Sequence, residues 1–565
     1  MDLEPVVVPI VSDAVFAMLQ SETYSWMFGL TIIVAFVSAF SIGANDVANA
    51  FADVVASRTL TLKQIVMIAS VTELVGAVLM GNNTASTISG GIIDVDNFTY
   101  RQDLLMWGNF CILIGSGAWV LMATFLKMPV STTHSVVGAV AGIGVASFGP
   151  SGVMWGMDWS EGTGLSYVIL GFIISPVASG MFAAGLFLAI RFLVLNREQS
   201  FKWALYSLPV FSVFTIGIIM TFIVYKSSPK LGLSDLSAGL KVAVILPPAV
   251  VGGLVAGFFG IPYLRRKKNK KDMDGLVSDS PMETTPLNVD KVSSSSGDFA
   301  SDDEEDVREY TTQGRIMAFL NRTLFYGINQ DVVSTHGDAK MEAMHDAAVS
   351  YDEDTEDVFK ALQVLSAAAL SFSHGANDVA NAIAPLAVVY QIWQEGYTTD
   401  ETPVELWILA FGAIGMDIGL FFLGYRLMRN LGNNLTMLSP SRGFALELGT
   451  IITVLGATSL GLPVSTTHCI TGATVAVGLC NGDTKAVNWR VVLLTMTGWM
   501  LTIPLAGVVS GCFFLFGALA PNKNYVDLYE SFVLNGTNLS NPDSWTPIPI
   551  TEFDVESVGI ENHEL

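Results

Sequence analysis

Asn45, Asp46 and Asn49 stand in the string Gly43-Ala-Asn-Asp-Val-Ala-Asn-Ala50. The same eight letters recur as Gly375 to Ala382, with Asn377, Asp378 and Asn381 in the equivalent places. The amides donate to an oxyanion or lend a carbonyl oxygen to a cation, and the carboxylates bring charge. A second shared string, Pro129-Val-Ser-Thr-Thr-His134 and Pro463-Val-Ser-Thr-Thr-His468, adds the hydroxyls of Ser131, Thr132, Thr133, Ser465, Thr466 and Thr467. A proline ahead of a helix start leaves free N–H groups beside those hydroxyls, a cradle that fits a tetrahedral oxyanion. Neither string contains Lys or Arg, so an anion here is held by N–H and O–H donors and by a co-bound cation. Hard oxygen ligands suit Na⁺ or H⁺ rather than a soft metal. An ionised Asp46 or Asp378 facing the anion favours phosphate, which keeps a proton to donate, over sulfate. If both carboxylates ligate only cations, that preference disappears.

The two copies run in near register, 332 positions apart for the first string and 334 for the second, which marks a duplication. Both strings are polar yet embedded in apolar sequence, a costly place for such groups unless they bind something. Gly43 and Gly375 are expected to break their helices and leave backbone groups open to ligand, ion or water. Glu73 and Glu447 lie deep in apolar runs, where a carboxylate is functional by default, and Asp417 is a weaker candidate of the same kind. His134 and His468 are candidates either for the site or for helix-terminal hydrogen bonding only. His374 breaks the symmetry, because its counterpart is Ile42. Ser, His and Asp also make nucleophilic triads. Here, however, the chain offers no Gly-x-Ser-x-Gly elbow and no His-Glu-x-x-His. The Ser-to-His offset of three recurs in both halves, which duplicated cradles explain more simply. The expectation is no enzyme.

The elements that position these groups follow from composition. Hydrophobic residues make up 51% and charged residues 14% of the chain, and the mean hydropathy is +0.52, which describes a polytopic membrane protein. Apolar runs near 26–50, 64–82, 104–126, 132–149, 164–195, 203–225, 238–262, 359–393, 404–425, 443–462, 466–481 and 491–519 give about twelve transmembrane helices. The runs at 132–149 and 466–481 also read as re-entrant hairpins. The net charge of −23 comes from a loop and acidic tails and excludes a nucleic-acid partner. Cys111, Cys469, Cys480 and Cys512 show neither metal spacing nor a disulfide framework. The first 25 residues lack a basic leader, so no cleavable signal peptide is expected and the first span serves as its own insertion signal.

The basic cluster Arg265–Lys271, directly after an apolar run, marks the central segment 263–358 as a cytoplasmic, largely disordered loop. A contact of that cluster with anionic lipid heads is the alternative to a plain stop-transfer flank. Seven crossings before the loop and five after it place both termini outside. The resulting map is an extracellular segment 1–25, a first repeat with linking helices 26–262, the loop, a second repeat 359–520 and an extracellular tail 521–565. Sequons at Asn82, Asn97, Asn535 and Asn538 then face outside, while those at Asn321 and Asn434 face inside and stay unmodified. Because seven is odd, the two motif copies cross in opposite directions. The fold class is an all-α polytopic membrane protein of two inverted-topology repeats with broken or re-entrant helices around a midplane pocket.

With both string pairs on the page, the chain resembles the inorganic phosphate transporter (PiT) family, the sodium/phosphate symporters of solute carrier family 20. The likeness covers roughly 25–262 and 359–520. It implies a homodimer in the lipid bilayer that imports phosphate with Na⁺ by alternating access, and the external sequons point to the plasma membrane. It also implies phosphate held by both motif pairs (Asn45, Asp46, Ser131, Thr132, Thr133, Asn377, Asp378, Ser465, Thr466, Thr467). Cation binding and coupling would fall to Asp46, Asn49, Glu73, Asp378, Asn381 and Glu447, the family's membrane glutamates matching Glu73 and Glu447. No cofactor is implied beyond co-transported Na⁺, and an H⁺-coupled or sulfate symporter is the alternative.

Overall fold

The computed structural model describes residues 24–81, 91–98, 101–158, 163–226, 232–233, 236–278, 344–396, 404–431, 434–459, 462 and 464–519. Pro463 and the sequons at Asn82, Asn321, Asn535 and Asn538 lie outside these. Residues 516–565 form a unit of their own, of which only the end of the last helix is described. Among the described residues there is no strand, only two isolated bridges.

The helices are α1 (Ser25–Ile42), α2 (Leu62–Met80), α3 (Gln102–Phe125), α4 (Thr132–Phe148), α5 (Leu165–Ile190), α6 (Ser200–Lys226), α7 (Ala238–Val255) and α8 (Ile261–Ser278). After the central loop come α9 (Glu353–Asp378), α10 (Ala380–Glu395), α11 (Leu406–Leu431), α12 (Pro440–Ser459), α13 (Thr466–Leu479) and α14 (Trp489–Leu519). Local chemistry sets their ends. Thr61 and Gln64 form a capping box on α2. Asp352 accepts from the Thr355 N–H at 3.0 Å, and three acidic residues in the first turn of α9 complement its dipole. Gly396, at φ +80°, closes α10.

Nine helical stretches among the described residues are long and apolar enough to cross a bilayer, from Ser25–Ala50 to Trp489–Ala518. The others depart for physical reasons. Helices α9 and α10 are divided at Val379, and α13, with 14 residues, reaches only about 21 Å at 1.5 Å per residue. That is short of a hydrocarbon core about 30 Å thick, which fits the hairpin reading of 466–481. Another difference lies at the central loop, where α7 continues through a π turn (Ala256–Gly260) into α8, so the basic cluster is helical as far as Ser278.

Packing crosses between the repeats. Helix α1 lies on α11, while its counterpart α9 lies on α2. Helix α13 lies on α5, and α4 meets α14 at equivalent small residues. A Cβ at Gly138 would overlap Ile503, and one at Gly472 would overlap Pro176. Small residues let helix backbones approach closely where no hydrophobic force acts between helices. Phe258, Phe259, Met181 and Met500 face outward and exposed, as lipid-facing side chains do.

At one end of the bundle α8 is tied to the start of α9. Lys267 pairs with Asp357 at 3.0 Å, Lys271 with Glu353 at 3.0 Å, and Lys268 with Asp354. The Lys268 ammonium beside Asp354 holds that carboxyl below the usual carboxylate range.

Candidate substrate site

Each carboxylate sits where its helix loses regularity. Helix α1 passes into a π turn at Gly43–Val47, which carries Asn45 and Asp46, a device that recurs at functional sites. In the second copy α9 stays regular through Gly375, and the interruption comes at Val379, one residue past Asp378. The expected break at Gly375 is therefore displaced. The glycines serve close approach instead: a Cβ at Gly43 would overlap the Met416 carbonyl, and one at Gly375 the Glu73 backbone.

The two hydroxyl strings cap the cradle helices as expected. Ser131 accepts from the His134 N–H at 3.2 Å and Ser465 from the His468 N–H at 3.3 Å, starting α4 and α13. Thr132 gives its N–H and hydroxyl to Asp46 Oδ2 at 3.3 and 2.6 Å. Thr467, from the other repeat, donates to Asp46 Oδ1 at 2.9 Å. Asp378 repeats the arrangement: Thr466 of its own half donates at 3.0 Å, and Thr133 of the other half at 3.5 Å. Asn381 Nδ2 reaches Thr132, Thr133 and Asp378 at 3.0, 3.4 and 3.1 Å. All of these groups are buried, Asp46 at 2% and Asp378 at 1% exposure.

The structure separates the asparagines by task. Asn45 turns away to the α3–α4 hairpin, donating to Thr124 Oγ1 at 3.0 Å and the Met128 carbonyl at 3.1 Å while accepting from Val130 N–H at 3.1 Å. It fixes the tip that carries the cradle. Asn377 is buried on α9. Asn49 Nδ2 and Asn381 Oδ1 are buried without partners, a donor and an acceptor open to anion and cation respectively.

Glu73, fully buried on α2, has partners that sequence reading did not supply. Its Oε2 meets His374 Nδ1 at 3.0 Å and its Oε1 accepts from Ser371 at 2.9 Å. The other ring nitrogen of His374 stands 3.3 Å from Asp378 Oδ2, outside hydrogen-bond alignment. Ligand atoms of Asp46, His374 and Asp378 all lie within 4.8 Å of one another, close enough for one small cation to span. Asp417 on α11 lies within electrostatic reach of Glu73.

Glu447 belongs to a second cluster. It accepts from Ser366 and faces Asp53, while Gln363 donates to Asp53 at 3.2 Å and accepts from Ser57 at 2.8 Å. One oxygen on each carboxylate, Asp53 Oδ1 and Glu447 Oε1, has no partner. Two buried carboxylates facing each other require a proton or cation between them. Asp53, Gln363 and Ser366 escaped sequence reading because none of them is duplicated; the only available hint is that Asp53 falls three residues past the first string.

The string-ending histidines meet. His134 stacks on Phe172 at 3.6 Å between centroids, lies 4.3 Å from His468, and His468 stacks on Trp499 at 3.7 Å. His468 Nδ1 is 3.2 Å from the Phe172 carbonyl. Their contact joins the two helix starts into one block, and His134 Nδ1 and His468 Nε2 are buried without partners.

Comparison with known proteins gives a consistent result. The phosphate transporter family matches residues 42–510. The phosphate-repressible phosphate permease pho-4 of Neurospora crassa is 33% identical over 89% of this chain and 99% of its own length. Sodium-dependent phosphate transporter 1 of Mus musculus is 28% identical over 86% and 94%. A solved structure of a sodium-dependent phosphate transporter superposes with a TM-score of 0.64 at 29% identity, covering 88% of this chain and all of that one.

Proposed function

The chain belongs to the phosphate transporter family and is not an enzyme, and from that premise we propose that it imports inorganic phosphate together with Na⁺ by alternating access. The observation that carries this reading is the crossed pair Thr467–Asp46 and Thr133–Asp378, which ties both repeats to one buried centre. In the described geometry the threonine hydroxyls are committed to the carboxylates. Two such charges are close together and buried, a repulsive arrangement that a cation relieves. Na⁺ bound by Asp46 and Asp378 compensates their charge and releases the Thr132, Thr133, Thr466 and Thr467 hydroxyls toward a tetrahedral anion. Phosphate is then favoured only after the cation, which is the thermodynamic content of coupling.

Rocking of one repeat against the other would expose this centre to each side in turn. Glu447 with Asp53, and Glu73 with Asp417, supply further carboxylate pairs for cations on that path. Sodium dependence in the named relatives supports the choice of ion. One observation favours a second reading, H⁺ coupling: His374 stands between Glu73 and Asp378, where a proton does the work of a cation. We further assign the protein to the plasma membrane as a homodimer, with both termini outside and the central loop inside.

The test is uptake of radiolabelled phosphate in Na⁺ against choline medium at fixed pH, with sulfate as competitor. Sodium-stimulated uptake unaffected by sulfate is expected. It should fall by at least about tenfold in Asp46→Asn and Asp378→Asn, as for loss of a buried charged ligand. Equal uptake in both media rejects sodium coupling. A response to acid that His374→Gln abolishes would establish the proton instead.

A further inference from the structure

Away from the carboxylate centre, two arginines lie beneath the end of the bundle where α8 meets α9. Arg442, in the first turn of α12, is fully buried. Its Nη2 donates to the Val349 carbonyl at 2.7 Å and to Asn481 Oδ1 at 2.8 Å, and its guanidinium stands 5.6 Å from the ring centroids of both Phe187 and Tyr351. Its Nε and Nη1 meet no acceptor. Arg191, just past α5, donates from Nη1 to the Cys480 carbonyl at 2.6 Å, and its buried Nε also meets none. The Tyr351 hydroxyl beside them is a third unpartnered group.

Capping of the α13 C-terminus accounts for the Nη1 of Arg191, and the Val349 carbonyl and Asn481 side chain account for the Nη2 of Arg442. It does not explain the rest. The two guanidiniums lie close enough to repel. Among the described residues neither has a carboxylate within ion-pair distance. The nearest acid, Glu356, is spent on Ser439 Oγ at 2.9 Å and on the Ser441 N–H and hydroxyl at 2.8 and 2.7 Å. Buried cations are normally paired, and buried donors without acceptors are rare.

We propose that Arg191, Arg442 and Tyr351 form a second anion site, built for a phosphate group. Two planar forks and a phenol hydroxyl converge from three elements, which suits a dianion with several oxygens better than a carboxylate. Val349, Ser350 and Gly482 beside it are exposed, so the ligand enters from the aqueous end without passing the carboxylate centre. The site clasps the foot of the α12–α13 hairpin, whose other end carries Ser465, Thr466 and Thr467. An anion bound there braces the cradle from behind. The ligand is either free phosphate or the phosphate of an anionic lipid headgroup. The inference rests on the arginine geometry and does not depend on which ion drives transport.

The experiment uses the full chain in neutral-lipid nanodiscs and radiolabelled inorganic phosphate. Two classes of bound phosphate are expected, one requiring Na⁺ and one not. Arg191→Gln should weaken the Na⁺-independent class by at least about tenfold and leave the other, and Tyr351→Phe should weaken it by less. Asp46→Asn with Asp378→Asn should show the reverse. If free phosphate binds only the Na⁺-dependent class, nanodiscs carrying a phosphoinositide should raise the thermal midpoint of the wild type and not of Arg191→Gln, which assigns the site to lipid. No Arg191-dependent response to either probe overturns the proposal. A wild type that binds only the Na⁺-independent class would count against the transport reading instead.

Discussion

Thr133 and Thr467 each reach out of their own repeat to the carboxylate of the other. A hydroxyl spent this way satisfies a buried charge, and deleting it leaves that charge one donor short, at a cost of about 1–3 kcal/mol. Thr467→Val should therefore lower phosphate uptake by roughly tenfold and shift the Na⁺ dependence, read as uptake against Na⁺ concentration, while Ser459→Ala, at the end of α12, changes neither. Unaltered Na⁺ dependence in Thr467→Val would detach the hydroxyl from the cation step. At this scale the duplicated residues were legible in the sequence, because repetition of Asp, Asn, Ser and Thr in apolar surroundings has few explanations. Asp53, Gln363 and Ser366 were not, since a polar residue with no counterpart in the other repeat does not stand out from ordinary helix-packing residues. Asn45 marks the other limit: its repetition reads as ligand binding, and here its side chain anchors a hairpin turn.

At the scale of elements, Gly375 and Gly43 matter as places where two helix backbones nearly touch. Gly375→Val should force α9 off α2 and cost about 1–3 kcal/mol or more, as overpacking does, with a lower melting temperature and a reduced monodisperse fraction in detergent. A variant that keeps wild-type stability would mean that the helices separate freely there. The sequence showed the glycines but not their task, because a helix break and a close approach call for the same residue. The ties between α8 and α9 make a second prediction. Asp354 has its pKa depressed by Lys268, so its contribution is present at neutral pH and is lost as pH falls through that lowered value. The hydrogen-exchange protection factors over 353–357, taken against the intrinsic rate at each pH, should accordingly fall on acidification below the ordinary carboxylate range. Asp354→Lys should lower them at neutral pH as well; protection insensitive to both would show that the ion pairs hold nothing.

For the molecule as a whole, the all-helical membrane architecture was legible because bilayer thickness and backbone hydrogen bonding leave few choices, while the twelve expected crossings stand against nine long apolar helices among the described residues. Exchange of partners between repeats was not, since hydropathy carries no information about which helix lies on which. Orientation is open to a direct check. Asn97 is exposed in the turn before α3, and on the proposed orientation Asn97→Gln should remove a glycosidase-sensitive mobility shift, whereas Asn434→Gln should leave it unchanged. The reverse pattern would invert the topology. The shared coordination of Asp46 and Asp378 also bears on ancestry: a polypeptide carrying a single copy would lack the one hydroxyl that each carboxylate takes from the other half. On the proposed inverted arrangement, such a forebear would need to insert in both directions and pair with itself to complete the centre, and joining the copies end to end would make that encounter permanent.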